Sequence, residues 1–415
     1  MAAENFYAAE KKTTSGIYLD NLTGIRAIAV LWVLIFHTWG IARSNVRLNI
    51  PFTDIRLGIT RIIEMGEWGV DIFFVLSGVL LTTPFIKNGL EKISTADIRK
   101  FYFRRALRIL PAYQFTLLAL IYIFLFGLQP LPAAIDVFQS ALLINPLFAT
   151  PPLQAAFWSL PVEALFYMFL PPLLMAAIYF RSFLIIFIAL IPLTIAFRIF
   201  VINSPIIESK GLFLFSFFGR MDQFAIGAIC AYWIIRRPLT ARQGLIALAG
   251  GTIGLIFFAS FIGWRGSNII EKKDYLYYFF QTIVGLIAAV MIYGAASPSR
   301  LGTRILGNRF MIFIGTISYS IYLWHTIILD IYTSLGISNS PSKHLITALY
   351  TWPPILIISF LSYLFIERPF LNIRHDSQQS SKYSSNRYLL ALLFLAPLAL
   401  ALVTALAKFT QTINH

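Results

Sequence analysis

The sequence predicts an all-α polytopic membrane protein, and three observations carry that prediction. Of the 415 residues, 58% are apolar and only 12% are charged, which excludes an ordinary soluble enzyme. Apolar runs of about 20 residues, long enough to cross a hydrocarbon core, recur eleven times along the chain. Lys and Arg collect in alternate connecting segments, as they do in chains threaded repeatedly through a bilayer.

Taken in order, residues 1–17 form a polar N-terminal tail that carries acids, so no cleavable signal peptide is expected. Ten apolar runs follow within residues 18–370, centred near 30, 75, 118, 168, 191, 223, 254, 287, 322 and 356. The stretch DVFQSALLINPLFA, residues 136–149, is apolar but too short to span, and Pro residues flank it; it reads as interfacial or re-entrant. Residues 371–387 are rich in Ser and Gln and read as a flexible linker. Residues 388–409, almost wholly Leu and Ala, form an eleventh span that reads as an anchor or accessory helix, so the prediction is a ten-helix core plus one C-terminal transmembrane helix.

With the N-terminus inside, twenty of the 33 Lys and Arg fall in inner segments, ten in outer segments and three (Arg26, Arg198 and Arg220) within spans. That asymmetry places the N-terminus in the cytoplasm and the C-terminus outside, in a plasma (inner) membrane. The net charge of +15 follows from the inner loops, which anionic lipid attracts; nucleic acid is not needed as a partner. Cys230 is the single cysteine, which excludes an intrachain disulfide and a thiolate metal cluster, and no metal is expected.

Ionisable side chains inside spans are costly and mark function by default. The first span holds Arg26 and His37, eleven positions apart, within roughly 20° of one face and about 16 Å apart along the axis. The second holds Asp71 and the pair Ser77-Gly78, the fourth Glu163, the sixth Arg220 and Asp222, and the ninth His325 and Asp330. Depth along the spans puts His37, His325, Asp71, Glu163 and Arg220 in one layer of the outer half, with Arg104, Arg105 and Arg108 at the inner entrance. Arg220 and Asp222, two apart, face different ways and are expected to pair with other helices. Ser77-Gly78 reads equally as a site element and as a close helix contact.

Six strings in order, LDNLTGIRAIAVLWVLIFH, GVDIFFVLSG, FYFRRALRILPAY, FWSLPVEALFY, GRMDQFAIGA and ISYSIYLWHTIIL, resemble the acyltransferase-3 family of integral membrane O-acyltransferases. The likeness covers roughly residues 18–370. It implies ten core helices, a cytoplasmic acyl-CoA donor, acetyl-CoA above all, and as acceptor a hydroxyl of a bacterial surface glycan or lipid-linked oligosaccharide. The family's Arg-then-His motif falls on Arg26 and His37, its Phe-Phe-x-x-Ser-Gly motif on Phe73, Phe74, Ser77 and Gly78, its Arg-x-x-Arg motif on Arg105 and Arg108, and its motif glutamate on Glu163. No appended esterase-like domain is expected from this sequence, which leaves acceptor handling open.

The chemistry agrees with the resemblance. A sugar hydroxyl attacking a thioester needs a base that titrates near neutral pH, which favours histidine; His37 is the candidate, either as general base or as the nucleophile of an acyl-histidine. Glu163 or Asp71 is expected to orient its imidazole. Arg105 and Arg108, three apart on one helical face, suit the phosphates of CoA; Arg26, deeper on the donor side, suits the pyrophosphate or a carboxylate, and Ser77, also placed on the donor side, or Arg220 is the candidate donor to the oxyanion. The alternative is a non-enzymatic transporter of a glycan or lipid-linked sugar, with the buried charges lining its route.

Overall fold

A computed structural model describes residues 18–42, 47–49, 56–125, 131–145, 150–265, 275–335, 343–376 and 404. Helix α1 (Leu19–Ala42) is followed by a two-stranded antiparallel hairpin, β1 (Arg47–Asn49) and β2 (Arg56–Gly58), in which Leu48 faces Leu57. Then come α2 (Thr60–Glu64), α3 (Trp68–Asn88), α4 (Thr95–Leu125) and the short α5 (Ala134–Ala141). The second half holds α6 (Ser159–Tyr179), α7 (Phe183–Asn203), α8 (Lys210–Leu214), α9 (Phe217–Arg236), α10 (Ala241–Arg265) and α11 (Leu276–Ala295). It closes with α12 (Arg300–Leu306), α13 (Arg309–Thr316), α14 (Ser318–Ser334), α15 (Lys343–Ser362), a π-turn (Tyr363–Glu367) and α16 (Arg368–Asp376).

Among the described residues, nine helices are long and apolar enough to cross a membrane, and ten when α13 and α14 count as one broken span. The protein is a multi-pass membrane protein, and all ten predicted core spans are found. The ninth differs from expectation: it is bent by 66° between Thr316 and Ser318 instead of running straight. Hydrocarbon leaves no water to satisfy backbone groups, so each span closes its own hydrogen bonds as a helix. Ser182 caps α7 at the amide of Ile185, and Asn308 caps α13 at the amide of Met311. Among the described residues of the 136–149 stretch, the α-helical part is the end of the eight-residue α5, too short to span; residues 146–149 lie outside the described residues. Residues 371–376 of the predicted linker lie in α16, while the N-terminal tail, residues 377–387 and the eleventh span, Thr404 excepted, lie outside the described residues.

Helices α3 and α9 sit at the centre, and α7, α10 and α15 at the rim. The rim helices expose Ile185, Leu193 and Phe200, Ile253 and Phe257, and Leu349 and Ile357 outward, as a lipid-facing surface requires. The centre is held by close backbone approach. A Cβ on Gly78 would come within 2.3 Å of the Phe224 carbonyl oxygen, and one on Gly227 within 2.1 Å of that of Val75, so α3 and α9 meet where neither has a side chain.

Cross-bundle contacts fix the two ends of α1. Asn21 Nδ2 donates to the Ala295 carbonyl at 2.9 Å, so α1 begins beside the end of α11. Trp32 Nε1 donates to the Ile62 carbonyl at 2.9 Å, so its far half lies beside α2. The loop between α3 and α4, which carries Lys92 and is flanked by Lys87, Arg99 and Lys100, makes the first of these the basic end.

Candidate active site

Five of the predicted residues line one cavity of about 120 Å³: Arg26 from α1, Ser77 from α3, Arg105 and Arg108 from α4, and Glu163 from α6. Ser77 Oγ donates to Glu163 Oε1 at 2.7 Å, and Tyr167 Oη donates to the same oxygen at 2.6 Å. Ser77 faces Glu163 at the cavity wall, while Gly78 faces α9, so the neighbouring residues of the pair point to different surroundings. Arg26 Nη2 donates to Ser318 Oγ at 3.1 Å, on the first turn of α14 beyond the bend. The Arg105 guanidinium lies 5.8 Å from the Tyr167 ring centroid, and that of Arg108 lies 5.8 Å from Tyr319. A contact of this kind attracts the cation to the ring and consumes no N–H donor.

A second cavity of about 210 Å³ adjoins the first at the basic end and shares Leu80, Leu81 and Arg105 with it. Lys92, Lys100 and Arg104 add positive charge to its lining, and Asp97 a single carboxylate. Cation-rich lining thus continues from the mouth to the inner chamber.

His37 lies outside this cavity. Its Nδ1 is 3.0 Å from the Val33 carbonyl and 3.3 Å from His325 Nε2, with the rings edge to face at 4.8 Å. His325, almost wholly buried, turns its own Nδ1 toward the carbonyls of Ile321 and Tyr322 at 3.0 and 2.8 Å. Only an N–H can face two carbonyls, so the His325 lone pair sits on Nε2 and accepts from His37 Nδ1–H. The lone pair of His37 is thereby assigned to Nε2, which makes no hydrogen bond among the described residues. Tyr322 joins the two regions: it lines the cavity, and its ring stands 5.6 Å from that of His325. Its hydroxyl donates to the Ala156 carbonyl at 2.5 Å, and Ser159 Oγ lies 2.7 Å away.

Two expectations are corrected. The partner of the His37 imidazole is His325, not the carboxylate of Glu163 or Asp71. The single layer of ionisable groups resolves into three clusters, because equal depth does not bring side chains on different helix faces together. Asp71 belongs to the third. Arg220 Nη1 and Gln223 Nε2 each donate to Asp71 Oδ1 at 2.6 Å, and the Arg220 guanidinium lies over Trp158 and Phe215 at 5.4 and 5.0 Å. Next to it, fully buried Arg198 pairs with Asp222 at 2.8 Å and donates to the Gly219 carbonyl and Thr282 Oγ1. Arg220 and Asp222 do pair with other helices, as their spacing required. Glu67, just before α3, borders this cluster, and burial pushes its carboxyl above the usual range against the pull of Arg220.

Several residues at or beside the cavity escaped sequence reasoning, among them Tyr167, Tyr319, Tyr322, Ser318 and Glu367. Tyrosines are too common here to stand out, and Glu367 lies at the end of the tenth apolar run, just before the polar linker, where a charge reads as solvated.

The sequence profile of the acyltransferase domain matches residues 19–368. The chain belongs to the acyltransferase-3 family. It is 26% identical over 381 residues to peptidoglycan O-acetyltransferase OatA of Listeria monocytogenes, covering 86% of this chain and 57% of that protein. It is 27% identical over 379 residues to YrhL of Bacillus subtilis, covering 86% and 56%. The chain thus spans little more than half the length of these relatives. No solved structure matches it. For this acyltransferase-3 chain, family membership does not favour the transporter reading.

Proposed function

We propose that the protein is a membrane O-acetyltransferase that takes its acyl group from acetyl-CoA at the basic, cytoplasmic end and passes it to a glycan hydroxyl at the other end of the bundle. The observation that carries this reading is the gathering of Arg26, Arg105, Arg108, Ser77 and Glu163 around one cavity that meets the His37–His325 pair through Tyr322. Guanidinium forks suit the phosphates of CoA better than a neutral sugar. The names of the relatives support acetyl as the acyl group and peptidoglycan as the class of acceptor.

In direct transfer, His37 Nε2 takes the proton of the attacking hydroxyl while its oxygen bonds the acyl carbon. The C–S bond breaks, and the CoA thiolate is protonated in turn. In the two-step route, Nε2 bonds the acyl carbon first as the C–S bond breaks and the CoA thiolate leaves; the hydroxyl oxygen then bonds the acyl carbon as the C–N bond breaks, and the hydroxyl proton passes to the thiolate. Both routes need the lone pair on Nε2, the tautomer that His325 favours. Ser77 and Tyr167 hold the Glu163 carboxylate at the cavity wall, away from the histidines.

The test is equilibrium binding of labelled acetyl-CoA to the purified protein. Joint replacement of Arg105 and Arg108 by Ala is expected to weaken binding by about 10²-fold or more, at roughly 1.5–3 kcal/mol for each charge-assisted contact. Unchanged affinity returns these arginines to a purely topological role.

A further inference from the structure

Glu367 is 2% exposed, in a membrane bundle, at the last residue of the five-residue π-turn that joins α15 to α16. The turn has a local cause. Pro369 has no N–H to give the Phe365 carbonyl and its ring would press on that oxygen, so the regular α-ladder cannot run through this point. The wider turn re-aims the chain. Glu367 Oε1 accepts from Ser320 Oγ, and Oε2 lies 3.4 Å from Arg108 Nη1 with no hydrogen bond of its own among the described residues. Ser320 follows Ser318, the partner of Arg26, by two residues on α14. The two donor-side arginines are therefore tied to the same helix start, Arg26 directly and Arg108 through Glu367. A buried carboxylate beside a cavity built for an anion opposes that anion unless it does something for the cation it touches.

We propose that Glu367 is a positioning residue: its buried carboxylate draws one edge of the Arg108 guanidinium to the wall and leaves the remaining N–H groups for the phosphates of the acyl donor. The proposal rests on the acetyl-CoA reading given above. Glu367 touches no reacting atom; Arg108 is the donor-side arginine within ion-pair distance of it, so its effect is on donor affinity and is expected to be largely lost when Arg108 is absent.

The experiment is binding of labelled acetyl-CoA to detergent-purified full-length protein, with melting temperatures taken on the same samples. Glu367→Gln keeps the volume and the Ser320 contact and removes the charge; it is expected to weaken binding about tenfold while the melting temperature holds. Glu367→Asp, with the charge on a shorter arm, is expected to recover part of the loss. In an Arg108→Ala background, either change is expected to weaken binding little further. Unchanged affinity in Glu367→Gln overturns the proposal, as does an equal loss with and without Arg108. If Glu367→Gln does not fold, the comparison of Glu367→Asp in the two backgrounds decides by the same criterion. Failure of the wild type to bind acetyl-CoA overturns the donor reading and this proposal with it, an outcome distinct from a wild type that binds normally beside an unaffected variant.

Discussion

His37 Nδ1 and His325 Nε2 lie 3.3 Å apart on α1 and α14, and the contact assigns the lone pair of His37 to its other nitrogen. The same two helices meet at Arg26 and Ser318, so one helix pair carries both the donor-side arginine and the histidine pair. His37→Ala is expected to lower acetyl transfer by about 10²–10⁴-fold, the range of a lost acid–base group. His325→Ala removes only the group that orients the imidazole. At about 1–3 kcal/mol for a lost buried hydrogen bond, it is expected to slow transfer about 5- to 150-fold. Initial rates per folded molecule measure both; a wild-type rate in His325→Ala removes the orienting role.

Glu163 accepts two hydrogen bonds on one oxygen, from Ser77 and Tyr167. Ser77→Ala and Tyr167→Phe each delete one donor and leave the half-buried carboxylate beside the cavity. Each is expected to lower turnover by about five- to tenfold, roughly 1 kcal/mol, and the double variant to lose less or more than the product of the singles, as shared partners do not add. Steady-state kinetics on the three variants decides. Wild-type turnover in both singles separates Glu163 from these donors.

Asp71 makes its ion pair with Arg220 and receives Gln223, away from the cavity and from His37. Removing one member of a buried pair leaves the other charge without compensation, a loss of about 3–5 kcal/mol. Asp71→Asn, which still offers an oxygen, is expected to lose part of that and to melt several degrees lower. Activity per folded molecule is expected to stay within about twofold, since a group acting only on stability leaves the transition state untouched. A collapse of turnover at an unchanged melting temperature moves Asp71 into the chemistry.

The spans were legible because hydrocarbon imposes a length and composition that survive without any knowledge of packing. The site was legible where a motif met chemistry: Arg26, Arg105, Arg108, Ser77 and Glu163 converge on one cavity. Depth reasoning misplaced Glu163 beside His37, because it orders residues along the membrane normal and says nothing about which helix face meets which neighbour. The bend before Ser318 was likewise hidden, since the apolar run through residues 309–334 continues across it. Glu367 was hidden for the opposite reason: a charge at the edge of a polar segment looks solvated, and only the π-turn carries it inward.

Ser77 and Gly78 are neighbours with opposite duties, and substitution separates them. Gly78 lies where α3 and α9 touch backbone to backbone, with a Cβ position 2.3 Å from the Phe224 carbonyl oxygen and 2.8 Å from Gly227 Cα. Those atoms belong to a helix, so a methyl group there forces the two central helices apart instead of nudging a side chain. Overpacking of this kind costs about 1–3 kcal/mol, and the lost contact is one that membrane helices rely on for association. Gly78→Ala is therefore expected to lower the melting temperature in detergent and the yield of folded protein, whereas Ser77→Ala lowers turnover at a nearly unchanged melting temperature. Paired thermal-unfolding and rate measurements on the two single variants check this. Equal melting temperatures for Gly78→Ala and wild type refute the close-packing role of Gly78, whatever the rates show.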